Sequence, residues 1–250
     1  MSGVDMKIRL TRSKASFYLF ADANAAATNP YFHIDDIYLY IRRVKINNEV
    51  FLNIDKHLST ETAKYSLERV ETKILTIETG IYNKQFDNLF LGNLPRRVIV
   101  GLLDHAATDG VYGTSPLLFK PYDLTSINAF VNGMPVGKEY NCKFRASTSP
   151  IPNLCARAYA SLYAVATPAG MGHGITLEDY TNNGYTLFCF DLSPDASPDG
   201  CDYLNPIQTG AFSISITFGT ATGQNLNLLV YAEHSGLIEI DKTRTIVNNV

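Results

Sequence analysis

The sequence predicts an all-β fold, an antiparallel jelly-roll sandwich with short helical insertions, and three observations carry that expectation. From Ala211 to Phe218 the chain alternates cleanly, with Phe212, Ile214, Ile216 and Phe218 on one face and Ser213, Ser215 and Thr217 on the other. Roughly ten strand-like runs separated by turn residues are spread along the chain. Helical patterns are few and sit between strands, without the regular alternation that parallel α/β layouts require.

Taken in order, Ile37, Leu39 and Ile41 share a face before the apolar parity shifts to Val44 and Ile46, which predicts a strand bulged at Arg42 and Arg43. Val50, Phe51, Ile54 and Leu58 form one stripe behind Asn47 and Asn48, so Glu49 to Leu58 is expected to be a short helix. Leu67, Val70, Ile74 and Ile77 fit helical spacing, but Val70, Thr72, Ile74 and Thr76 are β-branched at a period of two, and a strand is expected. Arg96 to Leu103 is apolar almost throughout after its two arginines, which predicts a strand covered on both faces. Asn132-Gly133 after Ile127 to Val131 is the signature of a type I′ hairpin. Ser149 to Val165 carries Ile151, Leu154, Ala158, Leu162 and Val165 at helical spacing before Pro168 and Gly170, predicting a longer helix. Asn225 to Ala232, with Leu226, Leu228 and Val230 inward, and then Gly236 to Ile240 are expected to be two further strands of a C-terminal meander.

The absence of repeats or low-complexity linkers predicts a single jelly-roll domain over residues 1–250. With 46% hydrophobic and 18% charged residues the chain is well supplied for a core. Its 21 basic and 24 acidic residues leave a formal charge of -3, so no net positive field gathers nucleic acid and any such contact must be local. Cys142, Cys155, Cys189 and Cys201 form no CxxC pair, and no Asn-x-Ser/Thr sequon occurs. The segment Met1 to Leu10 lacks the layout of a signal peptide and no long apolar run spans a bilayer, so a soluble intracellular chain without membrane contact is expected.

Candidate chemistry is sparse. His33, His57, His105, His173 and His234 are scattered and show no metal-ligand spacing. Asp104-His105 ends a strand and reads as a solvated terminus rather than a catalytic pair. Gly170 to Gly174 follows a helix and lacks the lysine of a phosphate loop, so a connector is expected. Asp35-Asp36 and the run from Asp191 to Asp202 lack the calcium-loop pattern. Three basic clusters, Lys7 with Arg9, Arg12 and Lys14, then Arg42, Arg43 and Lys45, then Arg96 with Arg97, either face a packaged genome or guard strand edges. The 15 tyrosines and 13 phenylalanines are expected mostly in the core, as Phe188, Phe190, Phe212 and Phe218 fall within alternating patterns. No residue is assigned a catalytic, cofactor-binding or metal-binding role, and no cofactor is expected.

Several segments share a further likeness: Met6-Lys-Ile-Arg-Leu-Thr-Arg-Ser-Lys14, Tyr40-Ile-Arg-Arg-Val-Lys-Ile46, Thr62-Ala-Lys-Tyr65 and Arg69-Val-Glu-Thr-Lys73. They are followed by Asn88-Leu-Phe-Leu-Gly-Asn-Leu-Pro-Arg-Arg-Val-Ile-Val-Gly101, Tyr185 to Pro194, Tyr231-Ala-Glu233 and Ile238-Glu-Ile-Asp241. In this order they resemble the C-terminal part of the major capsid protein of Polinton (Maverick) elements and adintoviruses, over nearly the whole chain. That family is similar to the double jelly-roll capsid proteins of adenovirus-like and virophage lineages.

The resemblance implies a structural, non-enzymatic protein that self-assembles into trimeric capsomers of an icosahedral shell, in the virion and in the host cell interior during assembly. It implies as partners further copies of the chain, an N-terminal jelly roll that this sequence lacks, other capsid proteins and weak contact with the genome. Two rivals follow from the fold expectation alone. A carbohydrate- or ligand-binding jelly roll, as a host-captured gene, would need aromatic rings on an exposed concave face, and a cupin-like enzyme would need clustered histidines.

Overall fold

The computed structural model describes residues 7–22, 30–137, 139–145, 153–166, 172–194 and 205–249. Two helices lead the chain, α1 (Ala15–Tyr18) and α2 (Asn48–Leu58). They are followed by β1 (Ala63–Ile77), β2 (Asn83–Asn93), β3 (Arg97–Asp104), α3 (His105–Thr108), β4 (Leu124–Val131), β5 (Met134–Pro135) and β6 (Tyr140–Asn141). The chain continues through α4 (Ala156–Ser161), which runs into a π turn at Leu162–Ala166, α5 (Leu177–Asn182), β7 (Leu187–Asp191), β8 (Thr209–Phe218), β9 (Leu226–Ile240) and β10 (Ile246–Asn249).

These strands build two five-stranded sheets, both antiparallel throughout. One runs β1-β9-β3-β7, with β10 on the far half of β9, and the other runs β2-β8-β4-β5, with β6 also on β4. Successive strands therefore cross from one sheet to the other, with β1, β3 and β9 interleaving in sequence with β2, β4 and β8. This is the jelly-roll arrangement, in which paired Greek keys wrap two sheets around one core.

The core follows from the alternation. Phe212, Ile214, Ile216 and Phe218 of β8 are buried against Val98, Val100 and Leu102 of β3 and Leu226, Leu228, Val230 and Ala232 of β9 within one cluster. Phe188 and Phe190 of β7 join it, as their spacing predicts. Strand β3 is covered on its other face too: Leu103 is buried, and Gly101 lies so close under the Phe119 ring that a methyl group would collide with it. The hairpin at Asn132-Gly133 forms as expected, with φ of 51° and 79° and Val131 paired to Met134.

Three expectations change. Residues 30–47 carry no strand, and no bulge forms at Arg42 and Arg43, because among the described residues no strand pairs with the segment. Gly236 does not start a new strand, since β9 runs unbroken from Leu226 to Ile240 and Gly236 pairs with Leu67, whose side chain fills the space over it. The helix expected over Ser149 to Val165 is confined to α4 and its π turn, as Leu154 instead exchanges two backbone hydrogen bonds with Lys143. Its start at Ser149 and Ile151 lies outside the described residues. Ala158, Leu162 and Val165 are nevertheless buried on the face that covers β7. Helix α2 appears where its stripe predicts, yet only Leu58 of that stripe is buried.

Candidate assembly surface

The most exposed apolar part of the chain precedes the sandwich. Fourteen large apolar side chains between Tyr31 and Ile54 are at least 43% exposed. They represent on the order of 1,000 Å² of apolar surface, more than the largest patch on a typical soluble monomer. This arm is tethered at both ends. Ser16 and Phe17 of α1 pack on Gly110, next to α3, at the end of the sheet where β1 and β3 finish. The Phe32 carbonyl accepts a 2.9 Å hydrogen bond from Arg12, and the Phe32 ring meets Tyr18 edge-on at 5.9 Å. At the other end α2 delivers the chain to Ala63, where β1 begins. The arm thus travels against the direction of β1.

Strand β1 is itself an edge. Among the described residues it takes backbone partners from β9 alone. Val70 and Ile74 project from its outer face half exposed, and Tyr65 is exposed on the opposite face nearer its start.

The basic residues divide into two kinds. Lys7, Arg9, Lys14, Arg42, Arg43 and Lys45 lie on exposed chain. Arg96 and Arg97 do not, which corrects both readings of that cluster, since β3 lies between β9 and β7 and has no free edge. Arg97 donates to both carboxylate oxygens of Glu233, at 2.6 and 3.0 Å, and to the Val165 carbonyl at 3.0 Å. Arg96 donates to Glu68 at 2.5 Å. Tyr231 adds a 2.9 Å hydrogen bond to Glu233. Sequence reasoning missed Glu68 and Glu233 because both lie far along the chain from the arginines.

The other candidates have local roles. Asp104 caps α3 by accepting from the Ala106 amide at 2.9 Å, and His105 Nδ1 lies 3.0 Å from Asn227 Oδ1, so this pair finishes a strand. His173 accepts from the Ile175 amide at 3.0 Å, and its ring lies tilted by 46° against Tyr163 with centroids 3.9 Å apart, within the connector expected there. Residues 167–171 of that connector and 195–204 of the acidic run lie outside the described residues. Asp191 accepts from the Ser193 amide at 2.8 Å, and Asp35 lies 3.0 Å from His33 on the arm. His57, in the last turn of α2, has its carbonyl taken by Thr60 and Glu61.

His234 lines an open hollow of about 560 Å³ with Arg69, Glu71, Lys73 and Phe90. Burial, followed by the nearby Arg69 charge, lowers its pKa and keeps the imidazole neutral, while Lys73 donates to the Leu89 carbonyl and lies 3.2 Å from Glu71. Among the described residues no three His, Cys, Asp or Glu side chains gather as metal ligands, and no helix is long and apolar enough to cross a membrane.

No family model matches the chain. It is 26% identical over 227 residues to the uncharacterised protein F54H12.2 of Caenorhabditis elegans, a match covering 85% of this chain and 50% of the nematode protein. The chain therefore spans half the length of that relative. Among solved structures it is similar to PBCV-1 VP54 as fitted into a reconstruction of the virophage Sputnik, with 12% identity, 82% of this chain and 55% of that chain covered, and a TM-score of 0.46. It is similar at 10% identity to the quasi-atomic model of the PBCV-1 virus capsid, covering 80% of this chain and 54% of that one with a TM-score of 0.43. The mavirus major capsid protein matches at 10% identity, over 76% of this chain and 42% of that one, with a TM-score of 0.37.

Proposed function

We propose that the chain is a structural capsid protein of a virus-like element, without enzymatic activity, folding over residues 1–250 as one unit equivalent to the second jelly roll of a Polinton- or adintovirus-type major capsid protein. The observation that carries this reading is where the resembling segments lie. Thr62 to Lys73 enters and fills most of β1, Asn88 to Gly101 spans the end of β2 and the first part of β3, Tyr185 to Pro194 contains β7, and Tyr231 to Asp241 covers the far part of β9 and the residue after it. Apart from the two segments that precede β1 and the Asn88–Asn93 part in β2, segments scattered through the sequence thus lie side by side across the β1-β9-β3-β7 sheet. The exposed arm supports the same reading, because that much apolar surface is stable in water only when a neighbour covers it.

On this reading the neighbours are further copies of the chain, a first jelly roll and other capsid proteins, gathered in a homotrimeric capsomer of the virion. The half of the nematode protein that this chain does not span is where a first jelly roll would lie. Genome contact falls to the exposed Arg42, Arg43 and Lys45 together with Lys7 and Arg9. Co-expression with the reading frame upstream of Met1 tests the proposal. Trimers by light scattering and shell-like particles by electron microscopy are the expected result. Monomers across a wide concentration range, with no particles, overturn it.

A further inference from the structure

We infer that residues 37–46 form a strand only when donated to a second copy of this chain, pairing antiparallel with the free edge of that copy's β1. This rests on the assembly reading above and names the contact that begins it. The argument starts from an irregularity in the arm, whose apolar residues occupy one face at Ile37, Leu39 and Ile41 and the other at Val44 and Ile46. Strand β1 carries the same irregularity. Its exposed apolar residues lie on the outer face at Ile74 and Val70, then on the other face at Tyr65, beside the half-buried Leu67.

An antiparallel register that sets Ile37 against Ile74 matches both halves together. It places Ile41 opposite Val70 on the outer face, then Val44 opposite Leu67 and Ile46 opposite Tyr65 on the other. A one-residue slip would send every one of these pairs to the wrong face. The same register sets Arg43 against Glu68, an opposite-charge cross-strand pair. Its unfavourable contact is Arg42 opposite Arg69, on the face where Glu71 follows two residues along.

Supply and demand of backbone groups agree with the apolar match. Strand β1 is fifteen residues long and has backbone partners on one side only among the described residues, which leaves a ladder of donors and acceptors open. The arm has the residue pattern of a strand and, within a single chain, no ladder. Pairing in trans covers the apolar surface and closes the edge in one step, the mode known as β-augmentation. Passed from each copy to the next, such arms close a ring.

The test uses the full chain and two single substitutions, Leu39→Cys and Thr72→Cys, which the register places directly opposite each other. The variants are mixed, one of them tagged, and oxidised. The expected product is a disulfide-linked pair joining one tagged and one untagged chain. The double variant L39C/T72C separates exchange from folding back, because a link formed only within one chain overturns the inference. Leu39→Pro removes a ladder donor from a segment with no secondary structure of its own, leaving the sandwich intact, and is expected to weaken self-association at least tenfold. Association that survives Leu39→Pro unchanged, without cross-links in the mixed sample, overturns the strand exchange and leaves the assembly reading standing. A chain that stays monomeric under all conditions overturns both.

Discussion

Arg97 and Glu233 lie directly opposite each other on β3 and β9, joined by two hydrogen bonds, with side chains 14% and 7% exposed. They sit on the face of the sheet turned away from the sandwich interior, where Val165 in the π turn contributes a carbonyl to Arg97. Breaking a buried pair from one side strands the other charge, which costs about 3–5 kcal/mol, whereas an apolar replacement of both partners is often neutral. Glu233→Ala is therefore expected to destabilise strongly, and Arg97→Met combined with Glu233→Leu to recover most of the loss. Urea denaturation measures both; a double variant no better than the single one would show that the pair itself holds the sheet.

Acid should weaken the fold in two separate steps. Burial lowers the pKa of His234 from the ordinary 6.5, so below that value the unfolded chain takes up a proton that the native chain refuses, and stability begins to fall. Burial alone would raise Glu233, but the hydrogen bonds from Arg97 and Tyr231 and the charges of Arg97 and Arg96 outweigh it and hold its carboxyl below the ordinary 4.5. Its contribution is full above 4.5 and is lost as pH falls through the native value. Denaturation midpoints measured against pH should show both steps. His234→Gln should abolish the upper one alone and Glu233→Gln the lower one alone.

What was legible in the sequence was local. The alternation from Phe212 to Phe218 and the pair Asn132-Gly133 each state a conformation within a few residues, and both formed as read. The capping box joining Thr176 to Asp179 at the start of α5 is local in the same way. What stayed hidden depends on partners. Residues 37–46 have the pattern of a strand, but a strand exists only with a neighbour to bond. Gly236 looks like a break, yet Leu67 of β1, remote in sequence, covers it and lets β9 continue. Arg96 and Arg97 look like a free basic cluster because nothing near them in sequence announces Glu68 and Glu233.

Gly101 and Gly133 should resist substitution for different reasons. At Gly133 φ is 79° with open space around the missing side chain, so Gly133→Ala carries only backbone strain, about 1–2 kcal/mol. At Gly101 a Cβ would collide with the Phe119 ring and lie 2.9 Å from Leu187 Cδ2, so Gly101→Ala overpacks the outer face of β3 by about 1–3 kcal/mol. Phe119→Leu should offset part of the second loss and none of the first. Equal effects of Phe119→Leu on the two variants, in a double-mutant cycle, would refute the distinction.

Cys142, Cys155 and Cys189 are buried free thiols, and burial is what sets their reactivity. It pushes Cys142 and Cys189 each up to about 12 and raises Cys155 as well. The thiolate is the nucleophile, so a group that is both inaccessible and protonated should be inert to disulfide reagents near neutral pH. A thiol-specific reagent applied to native protein, followed by mapping of the modified peptides, should leave all three unlabelled, while full labelling appears once denaturant opens the sandwich. Cys189 is the sharpest case, being on β7 between the core and the α4 face, where its amide takes a 3.4 Å hydrogen bond to the Ser161 hydroxyl. Labelling of Cys189 before global unfolding would mean that α4 lifts off β7 independently, and that this layer is not part of the cooperative unit.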